Sequence, residues 1–190
     1  RGQGGLLDVQ IHPDFINNNY IYIGFTDFLQ KKKKRTFTSI IRATLKNNNL
    51  INHKTIYKAD DKFYSNRSIH YGMRIVFDRK GYLYFPIGDR GDRDQAQLLN
   101  TPNGKIHRLK DDGSIPNDNP FINNDNAIKS IWTFGNRNPQ GLAIHPTSLI
   151  IFETEHGPKG GDELNILSSG KNYGWPKITY GKNYSGTTIT

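Results

Sequence analysis

A pattern of paired apolar strands returns along this chain roughly every 66 residues, and that repeat restricts the fold more than any other feature. Residues 7–13 lead through an Asn-rich turn into 20–24. Residues 73–78 pass Lys80-Gly81 into 82–88, and residues 141–146 lead into 149–153. Each is an alternating strand, a polar turn and a second apolar strand. Ile11, Phe77 and Ile144 hold equivalent places in the three units. A second strand pair follows: 39–45 returns through 51–57, 104–109 turns at Asp111-Asp112-Gly113, and 162–167 ends at Ser169-Gly170. Four strands per unit is the pattern of a propeller blade with long loops. A β-sandwich also has short strands, but it requires no such period. The 190 residues hold about three units, whereas closed rings use about four to eight. Three blades leave open strand edges at both ends. The chain is therefore expected to be part of a longer all-β propeller, with residues 1–190 a partial domain that shows no activity alone.

Composition removes several alternatives. There is no cysteine, which excludes a disulfide framework, a thiol nucleophile and thiolate metal sites. No apolar run approaches a membrane span. The chain opens at Arg1 within a motif, so its true start and any leader are expected to lie upstream. The net charge of +9 includes one compact basic run, Lys31 to Arg35. That run suits a solvated loop or the guard of a strand edge. A nucleic-acid groove would need a charged stripe with stacking aromatics, and none is legible.

Propeller chemistry sits on loops, and four loops here are polar and Gly-rich. Residues 1–5 offer Gln3 among glycines that let backbone approach a flat ligand, although a plain turn has the same composition. Residues 68–72 place His70 just before an inner strand. A neutral imidazole there can accept a hydroxyl proton near pH 7, and a structural histidine is the plainer alternative. His107 alternates within a strand and reads as scaffold, while His12 and His145 both precede Pro at equivalent turns. Residues 135–141 carry Arg137, a planar fork for a carboxylate or quinone oxygen, and Asn138, a neutral donor. Residues 155–163 combine carboxylates with backbone carbonyls in a Gly/Pro loop, a donor set suited to calcium.

Five stretches in this order, GQGGLLDVQIHPDF, HYGMRIVFDRKGYLYFPIGDRG, GKIHRLKDDGSIPNDNPF, GNRNPQGLAIHP and EHGPKGGDELNILSSGKNYGWP, resemble the soluble glucose/sorbosone dehydrogenases. The flavour is that of the bacterial aldose sugar dehydrogenases. Only residues 25–65 and the extreme C-terminus lack a match. The resemblance implies a six-bladed propeller using pyrroloquinoline quinone (PQQ) and calcium. It makes His70 the general base and assigns Gln3, Arg137 and Asn138 to the quinone, with Tyr184 a further neighbour. The carbonyls of Gly157 and Pro158 would hold the calcium that grips the cofactor, and Glu163 and Tyr173 a second, structural calcium. The Asp beside the base in some members is Ile69 here, which puts that support for His70 in question. Further cofactor contacts, a Lys and an Arg, are expected beyond Thr190.

The implied reaction is coherent: His70 takes the anomeric hydroxyl proton, hydride passes from sugar C1 to the quinone, and Arg137 and calcium stabilise the growing negative charge. An aldose is the substrate, a lactone the product, and an external acceptor takes the electrons. The resemblance further implies a periplasmic or secreted protein and allows a homodimer. Two other functions fit a propeller: binding a glycan or protein without chemistry, and calcium-dependent lactone hydrolysis.

Overall fold

The computed structural model describes residues 2–29 and 32–189, with Lys32 and Lys33 described by their backbone alone. Arg1 and the Lys31 end of the basic run lie outside these residues; Lys34 and Arg35 are exposed. Among the described residues, eleven strands make three antiparallel meanders. The first sheet is β1 (Leu6–Ile11), β2 (Tyr20–Leu29), β3 (Lys32–Lys46) and β4 (Asn49–Tyr57). The second is β5 (Val76–Phe77), β6 (Leu83–Ile87), β7 (Lys105–Leu109) and β8 (Ile131–Phe134). The third is β9 (Pro139–Ile144), β10 (Ile151–Glu155) and β11 (Glu163–Leu167). A four-residue helix at Phe15–Asn18 and 3₁₀ turns at Asp61–Phe63 and Arg93–Gln97 complete the regular structure. No helix among the described residues is long and apolar enough to cross a membrane.

Strand alternation sends successive side chains of β6 to opposite neighbours. Leu83, Phe85 and Ile87, all fully buried, pack with Tyr22, Phe37, Ile40 and Ile56 of the first sheet. Tyr84 packs the other way, with Leu142, Ile151 and Leu167 of the third. Burial of each such side chain contributes about 1.5–3 kcal/mol. The outer faces of the stack remain apolar and open: Val9 and Ile11 are each 52% exposed on the first sheet, Leu164 69% and Ile166 58% on the third.

Several strands differ from the sequence expectation: β2 runs on to Leu29, β3 starts at Lys32 rather than at residue 39, and β8 was not expected. Residues 73–78 read as one strand, yet β5 holds only Val76–Phe77. Gly72 and Met73 have positive φ, and the carboxylate of Asp8 accepts the Ile75 N–H at 2.6 Å and an Arg74 Nη1 bond at 2.7 Å. A side chain of the first sheet thus replaces the ladder. Likewise β10 starts at Ile151 because Leu149 has φ +61°, a turn conformation.

The scaffold histidines behave as their positions suggest. His12 and His145 each accept a backbone N–H at Nδ1 two residues on, from Asp14 and Thr147. His107 is fully buried against Phe85, bonded to Ser130 Oγ and the Pro102 carbonyl, and burial pushes its pKa down to about 3. The unfolded chain then takes up a proton below the ordinary value near 6.5 while the folded chain does not, so stability is lost as pH falls from about 6.5 toward 3. We expect a slope of roughly 1.4 kcal/mol per pH unit in that window, and a shallower one in His107→Gln. Urea titrations at about pH 7, 5.5 and 4.5 measure both, and equal slopes would sink the assignment.

Candidate active site

The repeat brings its loops together at one end of the sheets. Gln3, His70 and Arg137 recur in step with it, each just ahead of the first strand of its sheet. Neighbouring loops are laced to one another. Gln3 donates its N–H to the Ser68 carbonyl and accepts the His70 N–H at Oε1, 2.9 and 2.8 Å. Asn138 Oδ1 accepts the Gly72 N–H at 3.2 Å, and Asp89 donates its N–H to the Arg137 carbonyl at 2.7 Å. Gly88 permits this approach: a Cβ there would lie 2.5 Å from the His70 carbonyl oxygen and 2.9 Å from Asn138 Oδ1.

His70 and Asp89 form a buried pair, Nδ1 to Oδ1 at 2.6 Å. The Asp89 carboxylate also accepts the Gly91 N–H at 2.7 Å and Trp175 Nε1–H at 2.9 Å. A carboxylate beside Nδ1 requires that nitrogen to carry the proton, which leaves Nε2 as the acceptor. Asp89 therefore supplies the support that Ile69, beside the histidine, does not. The sequence reading missed Asp89 and Trp175. The signal for Asp89 was there: a carboxylate between glycines directly after the most apolar strand.

Arg137 is 6% exposed and lies against the Trp175 ring, 5.4 Å from its centroid. Its Nη1 donates to the carbonyls of His156 and Gly157 at 2.9 and 2.8 Å, and its N–H to the Glu155 carboxylate. A cleft of about 390 Å³ joins His70, Asp89, Arg137, Pro158, Trp175 and Tyr184. Of the expected site residues, His70, Arg137, Pro158 and Tyr184 line it. Gln3 and Asn138 are not among its lining residues and accept the backbone N–H groups of His70 and Gly72, and the Gly157 carbonyl faces Arg137. Glu163 lies in a separate acidic group, and the Tyr173 hydroxyl is bonded to the Ile166 carbonyl and the Ser168 N–H.

That acidic group bears on metal binding. Asn165 Nδ2 reaches Glu153, Glu155 and Glu163 at 2.9, 3.4 and 3.2 Å. Burial first, then the charge of Glu155, holds the Glu153 carboxyl well above the ordinary range, and burial with the charge of Glu163 raises Glu155. Among the described residues, Glu153 Oε1 and Asn136 Oδ1 are buried acceptors without a donor. No three His, Asp or Glu side chains among the described residues are arranged to hold a metal ion as they stand. The group is short of positive charge, and its donors are all oxygens, which fits a hard cation such as calcium better than a transition metal.

The glucose/sorbosone dehydrogenase profile matches residues 1–190. This chain belongs to that family. Proteins similar to it include the aldose sugar dehydrogenase YliI of Escherichia coli, 43% identical over 188 residues, covering 99% of this chain and 50% of the relative. The crystal structure of the soluble aldose sugar dehydrogenase of E. coli in its apo form superposes with a TM-score of 0.92 at 41% identity, over 99% of this chain and 54% of that one. The PQQ-bound form of aldose sugar dehydrogenase from Streptomyces coelicolor gives 0.80 at 30% identity, over 98% and 52%. The chain thus spans about half the length of the relatives it matches. The family profile also covers residues 25–65, where no motif was legible.

Proposed function

We propose that the protein is an oxidoreductase that oxidises the anomeric hydroxyl of an aldose to a lactone, using PQQ and calcium. The observation that carries this reading is the cleft in which the His70–Asp89 pair faces Arg137, in a chain of this family with a PQQ-bound structural relative. The three sheets are read as three consecutive blades of a six-bladed propeller, supported by their repeat and by the apolar faces left open at both ends of the stack.

His70 acts as general base. Its Nε2 accepts the proton of the anomeric hydroxyl, while Asp89 keeps Nδ1–H oriented and stabilises the imidazolium that forms. Trp175 fixes the second Asp89 oxygen, so the carboxylate cannot rotate away from the ring. Arg137 faces the cleft as a fixed positive charge, and the Tyr184 ring, 75% exposed, offers a stacking surface at its mouth. Bound PQQ would supply the acceptor for the hydride leaving sugar C1. Calcium would be held by Gly157 and Pro158 carbonyl oxygens beside Arg137, and a second ion by Glu163 and Tyr173 with the neighbouring carboxylates. Quinone contacts from Gln3 and Asn138, an external electron acceptor and a periplasmic or secreted location rest on the family resemblance.

The test is to reconstitute the full-length protein with PQQ and calcium and screen aldoses with an artificial acceptor. Sugar-dependent acceptor reduction with lactone formation is expected. Lactone hydrolysis without acceptor reduction would make it a hydrolase, and sugar binding without quinone binding would make it a lectin-like propeller.

A further inference from the structure

We propose that Arg90 is a positioning residue that clamps the His70 loop onto the Asp89 turn; the consequence for turnover rests on His70 being the base. The Arg90 side chain is 2% exposed, and its guanidinium lies 3.6 Å from the centroid of the buried Tyr71 ring. Nη1 donates to the Ile69 carbonyl at 3.0 Å, the peptide immediately before His70. Nη2 donates to the carbonyls of Arg67 and Thr36 at 2.5 and 3.3 Å. One planar group therefore ties together the loop that carries the base, the turn that carries its carboxylate, and strand β3.

Three observations point to positioning rather than filling. A buried guanidinium is expensive to desolvate, and its Nε has no partner among the described residues, whereas an apolar side chain would fill the same volume more cheaply. His70 itself has φ +52° and Arg90 φ +58°, a left-handed conformation that is uncommon away from glycine and costs energy for an arginine. The contacts also bracket His70 on all sides: Gln3 holds its N–H, Arg90 the preceding carbonyl and Asp89 the ring. Release of Arg90 leaves the loop free to relax toward ordinary φ, which swings the imidazole off Asp89. Lysine keeps the charge but lacks the fork and the flat face on Tyr71.

Arg90→Lys and Arg90→Met, made in the full-length protein, test the clamp by proton NMR of the downfield His70 Nδ1–H, assigned with His70→Gln. Both variants are expected to lose or broaden that signal. Turnover should fall about 10- to 100-fold with the sugar KM and quinone affinity within about threefold. Retention of a sharp His70 signal in both overturns the proposal. Loss of the signal with turnover unaltered leaves the clamp standing and removes His70 as the base. A measurement on the unsubstituted protein covers variants that do not fold: the Arg90 guanidinium nitrogens should give separate signals in slow rotation, and a freely rotating guanidinium overturns the clamp.

Discussion

Replacing His70 by Gln in the full-length protein is expected to lower turnover at least about a hundredfold while leaving quinone affinity within about tenfold. Glutamine keeps a polar group in the cleft but accepts no proton near neutral pH, so the anomeric hydroxyl loses its base. Asp89→Asn should approach the same loss by a different route. The amide presents a donor or an acceptor to Nδ1, so the tautomer with Nε2 free is no longer enforced, as in a triad without its carboxylate. Gly91 N–H and Trp175 Nε1–H both need acceptors at this position, so Asn also breaks one of these bonds. The two substitutions act on one unit, and the double variant should be little worse than His70→Gln alone. Steady-state kinetics with saturating PQQ and calcium decide it, and unchanged turnover in His70→Gln removes this residue from the mechanism.

Calcium removal is expected to take away activity, bound quinone and a large share of stability together. Exhaustive chelation of the holoenzyme should release PQQ, because the cofactor is a planar trianion and the cleft offers little besides Arg137 and Arg93 to balance it. A fully active, quinone-loaded protein after chelation would sink the calcium assignment. The acidic group makes a sharper prediction. Glu153 is fully buried, raised in pKa by burial and by Glu155, and has an oxygen without a donor among the described residues. A cation at about a thousand times its Kd stabilises the folded state by about 4 kcal/mol. Glu153→Gln should therefore change sign with the metal: more stable than the parent without calcium, because the cost of burying an ionisable carboxyl and holding it protonated is gone, and less stabilised when calcium is added, because a ligand is gone. Melting curves of both proteins with and without calcium show this directly. A Glu153→Gln protein that gains as much from calcium as the parent would place the ion elsewhere.

The repeat alone was enough to place most strands of the three sheets, since side-chain alternation and turn residues are local properties of the chain; β8, which follows a long loop, was not legible. The same period also put His70 and Arg137 in equivalent loops, and composition alone removed thiol chemistry. What the strands do at their ends was not local. Residues 73–75 read as strand, yet Asp8 takes the ladder's place there, through a contact between distant parts of the chain. The bond from the His70 N–H to Gln3 Oε1 is of the same kind, since it joins residues far apart in the chain. Asp89 and Trp175 lie well beyond His70 in the chain, and only the closure of three loops onto one cleft makes them a support for its ring. Periodicity specifies which face a residue takes. Which carboxylate meets which imidazole depends on how the sheets stack, and that is settled by long-range packing of Phe85, Tyr84 and their partners.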